Sequence, residues 1–161
     1  MNLIIEKLKE KLEQGIDKKQ VRHFFTGVPV SLAERDAING VIGIKPESTE
    51  INFISTGMVE RERCAIRIVL IKAIQVEYNK DKTVDPAHEF LMHVMEGKNS
   101  NGELRNDSIR NIVRSNFKII GGKYQEGVRI NYDTNYYGIP SFVTAEMVVP
   151  QIGFNQQTVN T

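Results

Sequence analysis

This sequence lacks both a disulfide framework and a membrane-spanning segment. Its single cysteine, Cys64, cannot form an intrachain disulfide, and such sparing use of cysteine is typical of cytosolic proteins. Cys64 lies inside an apolar stretch, so we expect a buried and unreactive thiol. No run of about 18 apolar residues occurs, which is the length that a membrane-spanning helix needs. We therefore expect no membrane partner.

Neither sign of charge is in excess. The chain has 21 Lys and Arg residues against 20 Asp and Glu residues, so its overall charge favours neither nucleic acid nor a membrane surface as partner. Its 161 residues can bury a core without disulfides or metals, and we predict a single domain over residues 1–150. Beyond Pro150, the sequence QIGFNQQTVNT has little to bury. We expect residues 151–161 to form a flexible C-terminal tail.

The common sequence motifs of catalysis and phosphate binding are also missing. There is no G-x-G-x-x-G, Walker A or G-x-S-x-G pattern. His88 and His93 bracket Glu89, but the five-residue step between them turns a helix by about 140°, so the two imidazoles diverge and do not share a metal.

Glu96-Gly97-Lys98 has the Glu-x-Lys form of some metal-dependent nucleases, yet it falls at a predicted helix end without an aspartate placed to join it. We predict no catalytic residue, no cofactor, no metal and no enzyme activity. An enzyme with a site assembled from scattered residues, such as a nuclease, stays the alternative.

The most regular segment is RERCAIRIVLIKAIQV, residues 61–76. Its apolar residues fall on both alternation faces, which is typical of a strand that is covered on both sides. At about 3.3 Å per residue, sixteen residues would span roughly 53 Å. A compact body of this size has a diameter of about 40 Å. The strand either bends or extends past its own domain, where its exposed edge groups would pair with a neighbouring molecule.

The remaining pattern predicts grouped strands and helices. Apolar residues at helical spacing predict an N-terminal helix through Ile16, and Asp85-Pro86 and the segment around Ile109 begin two central helices. A capping-box pattern from Ser31 to Glu34 predicts a short helical turn. The predicted strands cover residues 21–25, 41–44, 50–54, 61–76, 117–120, 128–132 and 142–149, with a turn at Pro46 between the second and third. This order predicts an α+β fold, with a mixed, mainly antiparallel sheet on which the N-terminal helix and the two central helices pack.

Two groups of residues are candidates for an interface. Alternating charges at the start of the long strand could pair with a neighbour and set its register; they are Glu60, Arg61, Glu62 and Arg63. A solvated strand end explains them equally well. The second group is a tyrosine cluster in an Asn-rich segment, because tyrosine buries area while keeping a hydrogen bond; it comprises Tyr132, Tyr136 and Tyr137. A loop that folds back on its own sheet is the alternative.

One local basic region is a candidate phosphate-binding surface. Its residues are Arg105, Arg110, Arg114, Lys118, Lys123 and Arg129. Three acidic residues dilute it, namely Glu103, Asp107 and Glu126. A solvated helix face explains the arginines as well, so we expect no specific nucleic-acid recognition, and a nucleic-acid-binding module stays an alternative.

Most of residues 1–150 resemble the tail terminator, or tail completion, proteins of long-tailed bacteriophages (siphophages). The resemblance lies in the leading amphipathic helix, the long apolar strand, and the stretches FFTGVPVSLAERDAI, VIGIKPESTEINFISTG, RNIVRSNFKIIGG and SFVTAEMVV. It implies a structural virion protein that forms a hexameric ring on the major tail tube protein and stops tube growth. The ring then joins the head through a head-completion or connector protein.

Such a subunit would be assembled in the host cytoplasm and end in the virion, at the head-tail junction. The resemblance implies no catalytic residue and no cofactor. A head-side adaptor or connector component is the closest alternative.

Overall fold

The computed structural model describes residues 2–27, 37–54, 59–73, 86–98, 101–103, 105–116, 128–133 and 142–157. Within them, three helices accompany a five-stranded sheet, and the predicted α+β fold is confirmed. The elements are α1 (Asn2–Gly15), β1 (Val21–Thr26), β2 (Gly40–Ile54), β3 (Val59–Ala73), α2 (Pro86–Met95), α3 (Ile109–Ser115), β4 (Arg129–Asp133) and β5 (Phe142–Gln157). The sheet order is β1-β2-β3-β5-β4, and only the pairing of β1 with β2 is parallel.

The helices cover one face of the sheet, which we call the helix side. The predicted apolar stripe of α1, including Leu8 and Leu12, is buried against this face together with apolar residues of α2 and α3. Gly15, the last residue of α1, allows α3 to approach closely, because a Cβ there would lie 2.7 Å from Cδ1 of Ile112. Gly97 has a φ of +50° just beyond α2, and so it ends that helix as predicted. The start of α3 is capped by Ser108, whose hydroxyl accepts a hydrogen bond from the backbone N–H of Asn111 at 3.2 Å.

Strand β3 is buried on both faces, as its double apolar pattern predicts. Ile66, Ile68 and Leu70 belong to the core on the helix side. Val69 and Ile71 belong to a second, smaller cluster on the opposite face. The central position of β3, between β2 and β5, explains why apolar residues lie on both of its faces.

The predicted turn at Pro46 is wrong. Residues 41–44 and 50–54 belong to one strand, β2, which passes through Pro46 with a bulge that inserts Glu47 opposite β3. The parallel partner β1 ends its pairing at Ile44, so Pro46 lies where the outer side of β2 has no described neighbour. A proline is tolerated there because no ladder hydrogen bond needs its missing N–H.

The predicted end of the last strand at Val149 is also wrong. β5 continues through Pro150 to Gln157 and stays paired with β3, so residues 151–157 belong to the sheet. Pro150 is tolerated for the same reason as Pro46, since it lies at a bulge and past Val148, the last β5 residue that pairs with β4. Flexibility of this segment stays a prediction, and residues 158–161 lie outside the described residues.

Both bulges lie at the same level of β3, next to Ala65. Beyond that level the described sheet has three strands, formed by residues 48–54, 59–65 and 151–157. We call this three-stranded extension the arm. The central strand of the arm, residues 59–65, spans about 20 Å. The long strand therefore extends beyond the level of the bulges with a partner strand of its own chain on each side, so the predicted pairing of its exposed edge groups with a neighbouring molecule is wrong for residues 59–65.

Other predictions fall outside the described residues. These are the Ser31 to Glu34 helical turn, the strand at 117–120, and residues 74–76 of the long strand.

Candidate functional site

The arm carries exposed apolar side chains on the helix side of the sheet. Phe53 is 70% exposed and Ile51 is 50% exposed. Both residues follow the bulge in β2. The extra residue there shifts by one the alternation of side chains between the two sheet faces, so Ile51 and Phe53 lie on the same face as Cys64 and Ile66. At the base of the arm Cys64 is buried, as predicted, with the Thr49 hydroxyl 4.0 Å from its sulfur. The helix-side core ends at Ile66, and the arm continues beyond it.

The charged residues predicted as an interface lie in the central strand of this arm. Cross-strand register pairs Glu60 with Phe53 and Glu62 with Ile51. Residues that pair directly across an antiparallel ladder belong to the same face of the sheet. Glu60 and Glu62 therefore occupy positions on the same sheet face as Ile51 and Phe53, and we call this face the arm face.

Arg61 and Arg63 occupy the alternate positions of the same strand. Register pairs Arg63 with Glu50 and Arg61 with Asn52. The register thus places two residues of opposite charge, Arg63 and Glu50, directly across from each other. These residues lie in a strand that is paired with β2 on one side and with β5 on the other. Their role as an interface and the alternative of a solvated strand end both stay predictions.

The tyrosine cluster is described only at Tyr132, which lies in the edge strand β4. Its hydroxyl donates a hydrogen bond to the Glu96 carboxylate at 2.5 Å, and the side chain is 38% exposed. Burial, followed by this hydrogen bond, raises the pKa of Tyr132 well above its ordinary value. Tyr132 therefore ties β4 to the end of α2 within the chain. Tyr136 and Tyr137 lie outside the described residues.

Glu96, the acidic residue of the Glu-x-Lys pattern, is engaged in this contact with Tyr132. Its carboxylate accepts a hydrogen bond from the Tyr132 hydroxyl. Nearby, burial and the positive charge of Arg105 lower the pKa of His93. Among the described residues, no three His, Cys, Asp or Glu side chains are grouped closely enough to hold a metal ion.

The basic region is partly neutralised. Arg105 forms a salt bridge with Asp107 at 2.5 Å, and Nε of Arg129 donates to the side chain of Asn131. Arg110 and Arg114 lie on the short helix α3, where Arg114 is exposed. Lys118 and Lys123 lie outside the described residues, so the full basic region stays a prediction.

A charged triad holds the base of the arm on the face opposite the helices. Arg67 on β3 contacts Glu146 on β5 at 2.7 Å and Glu47 at 2.6 Å. Glu47 is the residue that the β2 bulge inserts, and the side chain of Glu146 is only 10% exposed. Three strands are thereby joined where the five-stranded body narrows to the arm.

An open groove of about 740 Å³ lies along β1, the edge strand at the other end of the sheet order. Its apolar lining comes from Val21, Phe24 and Phe25, and Phe25 is 38% exposed. Its charged lining is mainly basic, with Lys18, Lys19 and Arg22 against Glu13, and it also contains His23. The VRHFF sequence predicted this strand but not the groove. The available signal was the combination of aromatic and basic residues on one strand.

Comparisons with known proteins give no family assignment: no protein-family model matches the chain, and no curated protein matches it. Within the described part of the chain, no helix is both long and apolar enough to span a bilayer.

Proposed function

We propose that this protein is a structural subunit that closes into a ring on the end of a phage tail tube. The ring stops tube growth and forms the surface that joins the head. The resemblance of residues 1–150 to tail terminator proteins suggests this role. The feature of the molecule that carries it is the arm, which extends a three-stranded sheet beyond the helix-side core and leaves Phe53 and Ile51 exposed.

Burial of the arm by a neighbouring subunit would be favourable. Covering Phe53 and Ile51 would contribute roughly 1–2 kcal/mol each. In the described residues the outer edges of the arm have no paired strand, and such edges favour association. Because the arm face is repeated once in each subunit, one repeated contact between it and a different surface would generate a closed ring where the rotation between subunits closes.

The direct test uses tail tubes that lack their terminator. Purified protein is incubated with such tubes and imaged by negative-stain electron microscopy, beside tubes without added protein. We expect a ring-like density at one end only. The matched control is Phe53→Ser, which removes an exposed arm residue and is expected to abolish capping while the protein stays folded.

A well-folded wild-type protein that never caps tubes would rule out the terminator role. A head-side adaptor would then be the leading alternative, and binding to purified connector rings would test it by the same imaging.

A further inference from the structure

We propose that the arm face of one subunit binds in the β1 groove of a second copy of this chain. This inference rests on the proposed ring, and it names the two surfaces that would form the repeated contact. The occupant of the groove is the segment around Ile51 and Phe53 of the neighbouring subunit.

Charge complementarity favours this occupant. The arm face combines two exposed apolar residues with the register positions of Glu60 and Glu62. The groove combines aromatic side chains with a mainly basic lining that includes Arg22. A face that combines apolar residues with two acidic register positions is complementary to a groove with a mainly basic, aromatic lining, and such complementarity steers association and fixes register.

Size also agrees. A volume of about 740 Å³ falls in the range of sites that enclose most of a drug-sized molecule, so two apolar side chains fit. The aromatic walls suit this role, since Phe24 is only half-buried and Phe25 stacks on His23 with ring centroids 6.4 Å apart.

The two surfaces are distinct parts of the subunit. The groove lies along β1, which pairs with β2 only from Val21 to Thr26. The arm face begins beyond the β2 bulge, past the last residue that pairs with β1. A contact between two different surfaces is heterologous, so each subunit can bind one neighbour through its arm and another through its groove. Repetition of this contact gives a ring or a filament, whereas a contact between two arm faces would end at a dimer.

The test is site-specific cross-linking between two differently tagged variants, Phe53→Cys and Phe25→Cys, with a short bis-maleimide. Both positions are exposed, and the native Cys64 is buried, so wild-type protein serves as the background control. Met92→Cys replaces Phe25→Cys in the matched control, because Met92 is a 54% exposed apolar residue on α2. Each mixture is cross-linked in free solution, and capping of tail tubes is scored in parallel with the wild-type protein, because substitution of Phe53 is itself expected to abolish capping.

We expect a cross-linked heterodimer from the Phe53→Cys and Phe25→Cys mixture, and no more than background from the Met92→Cys mixture. Introducing Arg22→Glu into the groove variant should lower the heterodimer yield by roughly tenfold through like-charge repulsion. Adding Glu62→Lys to the arm variant should then restore part of the yield.

Three results would overturn the inference. They are cross-linking of Phe53→Cys with itself, equal cross-linking to Met92→Cys, and no cross-linking above background. Capping scored in parallel distinguishes failure of the arm-to-groove contact from failure of the proposed function. Capped tubes without the expected heterodimer would support the ring and refute the arm-to-groove contact. The heterodimer without capping would support the contact and refute the terminator role.

Discussion

Arg67 should be the residue on which the base of the arm depends most. We expect Arg67→Met to destabilise the protein, because it leaves the Glu146 carboxylate, whose side chain is 10% exposed, without its guanidinium partner. Breaking a buried ion pair from one side costs roughly 3–5 kcal/mol. The Arg67 side chain is 25% exposed, and solvent screening lowers this expectation to about 2–3 kcal/mol. For a chain of this length that is a fall in Tm of roughly 5–10 °C.

The assay is urea unfolding followed by circular dichroism, with thermal melts alongside. Two further variants test the cause. Glu47→Gln should cost less than about 1 kcal/mol, because its pair with Arg67 is the more exposed of the two, with 32% exposure at Glu47. The double variant Arg67→Met with Glu146→Leu should recover most of the lost stability, because apolar residues can replace a buried ion pair at little net cost.

Any of three results would contradict this role of Arg67. The first is unfolding of Arg67→Met at the same urea concentration as wild type. Glu47→Gln could cost as much as Arg67→Met, which would place the important charge pair on the exposed side. The double variant could also be less stable than Arg67→Met alone, in which case the buried carboxylate is not the source of the loss.

Three other substitutions have definite expected outcomes. Phe53→Ser should change the free energy of unfolding by less than about 0.5 kcal/mol, since the side chain is 70% exposed, yet abolish tube capping; a large loss of stability in urea unfolding would contradict its placement. Gly97→Ala should cost about 3 kcal/mol or more by the same method, because φ is +50° and a Cβ would overlap the Cβ of Ser108; wild-type stability would refute this geometry. Tyr132→Phe should cost roughly 1 kcal/mol at neutral pH through loss of the bond to Glu96. In wild type the raised pKa of Tyr132 means that stability is fully present below the ordinary value of 10.0 and falls as pH rises above it, because the unfolded chain releases the proton first. Urea unfolding across alkaline pH should show a smaller fall in Tyr132→Phe, and an equal fall in both proteins would contradict this assignment.

Periodicity was sufficient to predict the helices and the central strand. The apolar spacing of α1 and the double pattern of β3 each require one kind of environment, a single buried face for the helix and two buried faces for the strand. The class of fold followed from the order of these segments.

Proline was the least informative signal. At Pro46 and Pro150 the sequence analysis predicted an interruption, because a proline in a paired strand loses a ladder hydrogen bond. β1 does not extend along β2 as far as Pro46, and β4 does not extend along β5 as far as Pro150. Neither proline therefore removes a hydrogen bond to a described outer strand. A local pattern cannot reveal how long the neighbouring strands are.

For the candidate surfaces too, some features were predictable from sequence and others required the tertiary structure. The sequence by itself determined that a long strand with apolar residues on both faces exists, and that charged residues lie at its start. Only the tertiary structure decided that these residues lie between β2 and β5, and that Tyr132 is engaged with Glu96. It also placed the aromatic and basic residues of β1 along a groove. The physical reason is that periodicity reports which side of a segment is buried, whereas register, bulges and strand ends depend on partners distant in sequence.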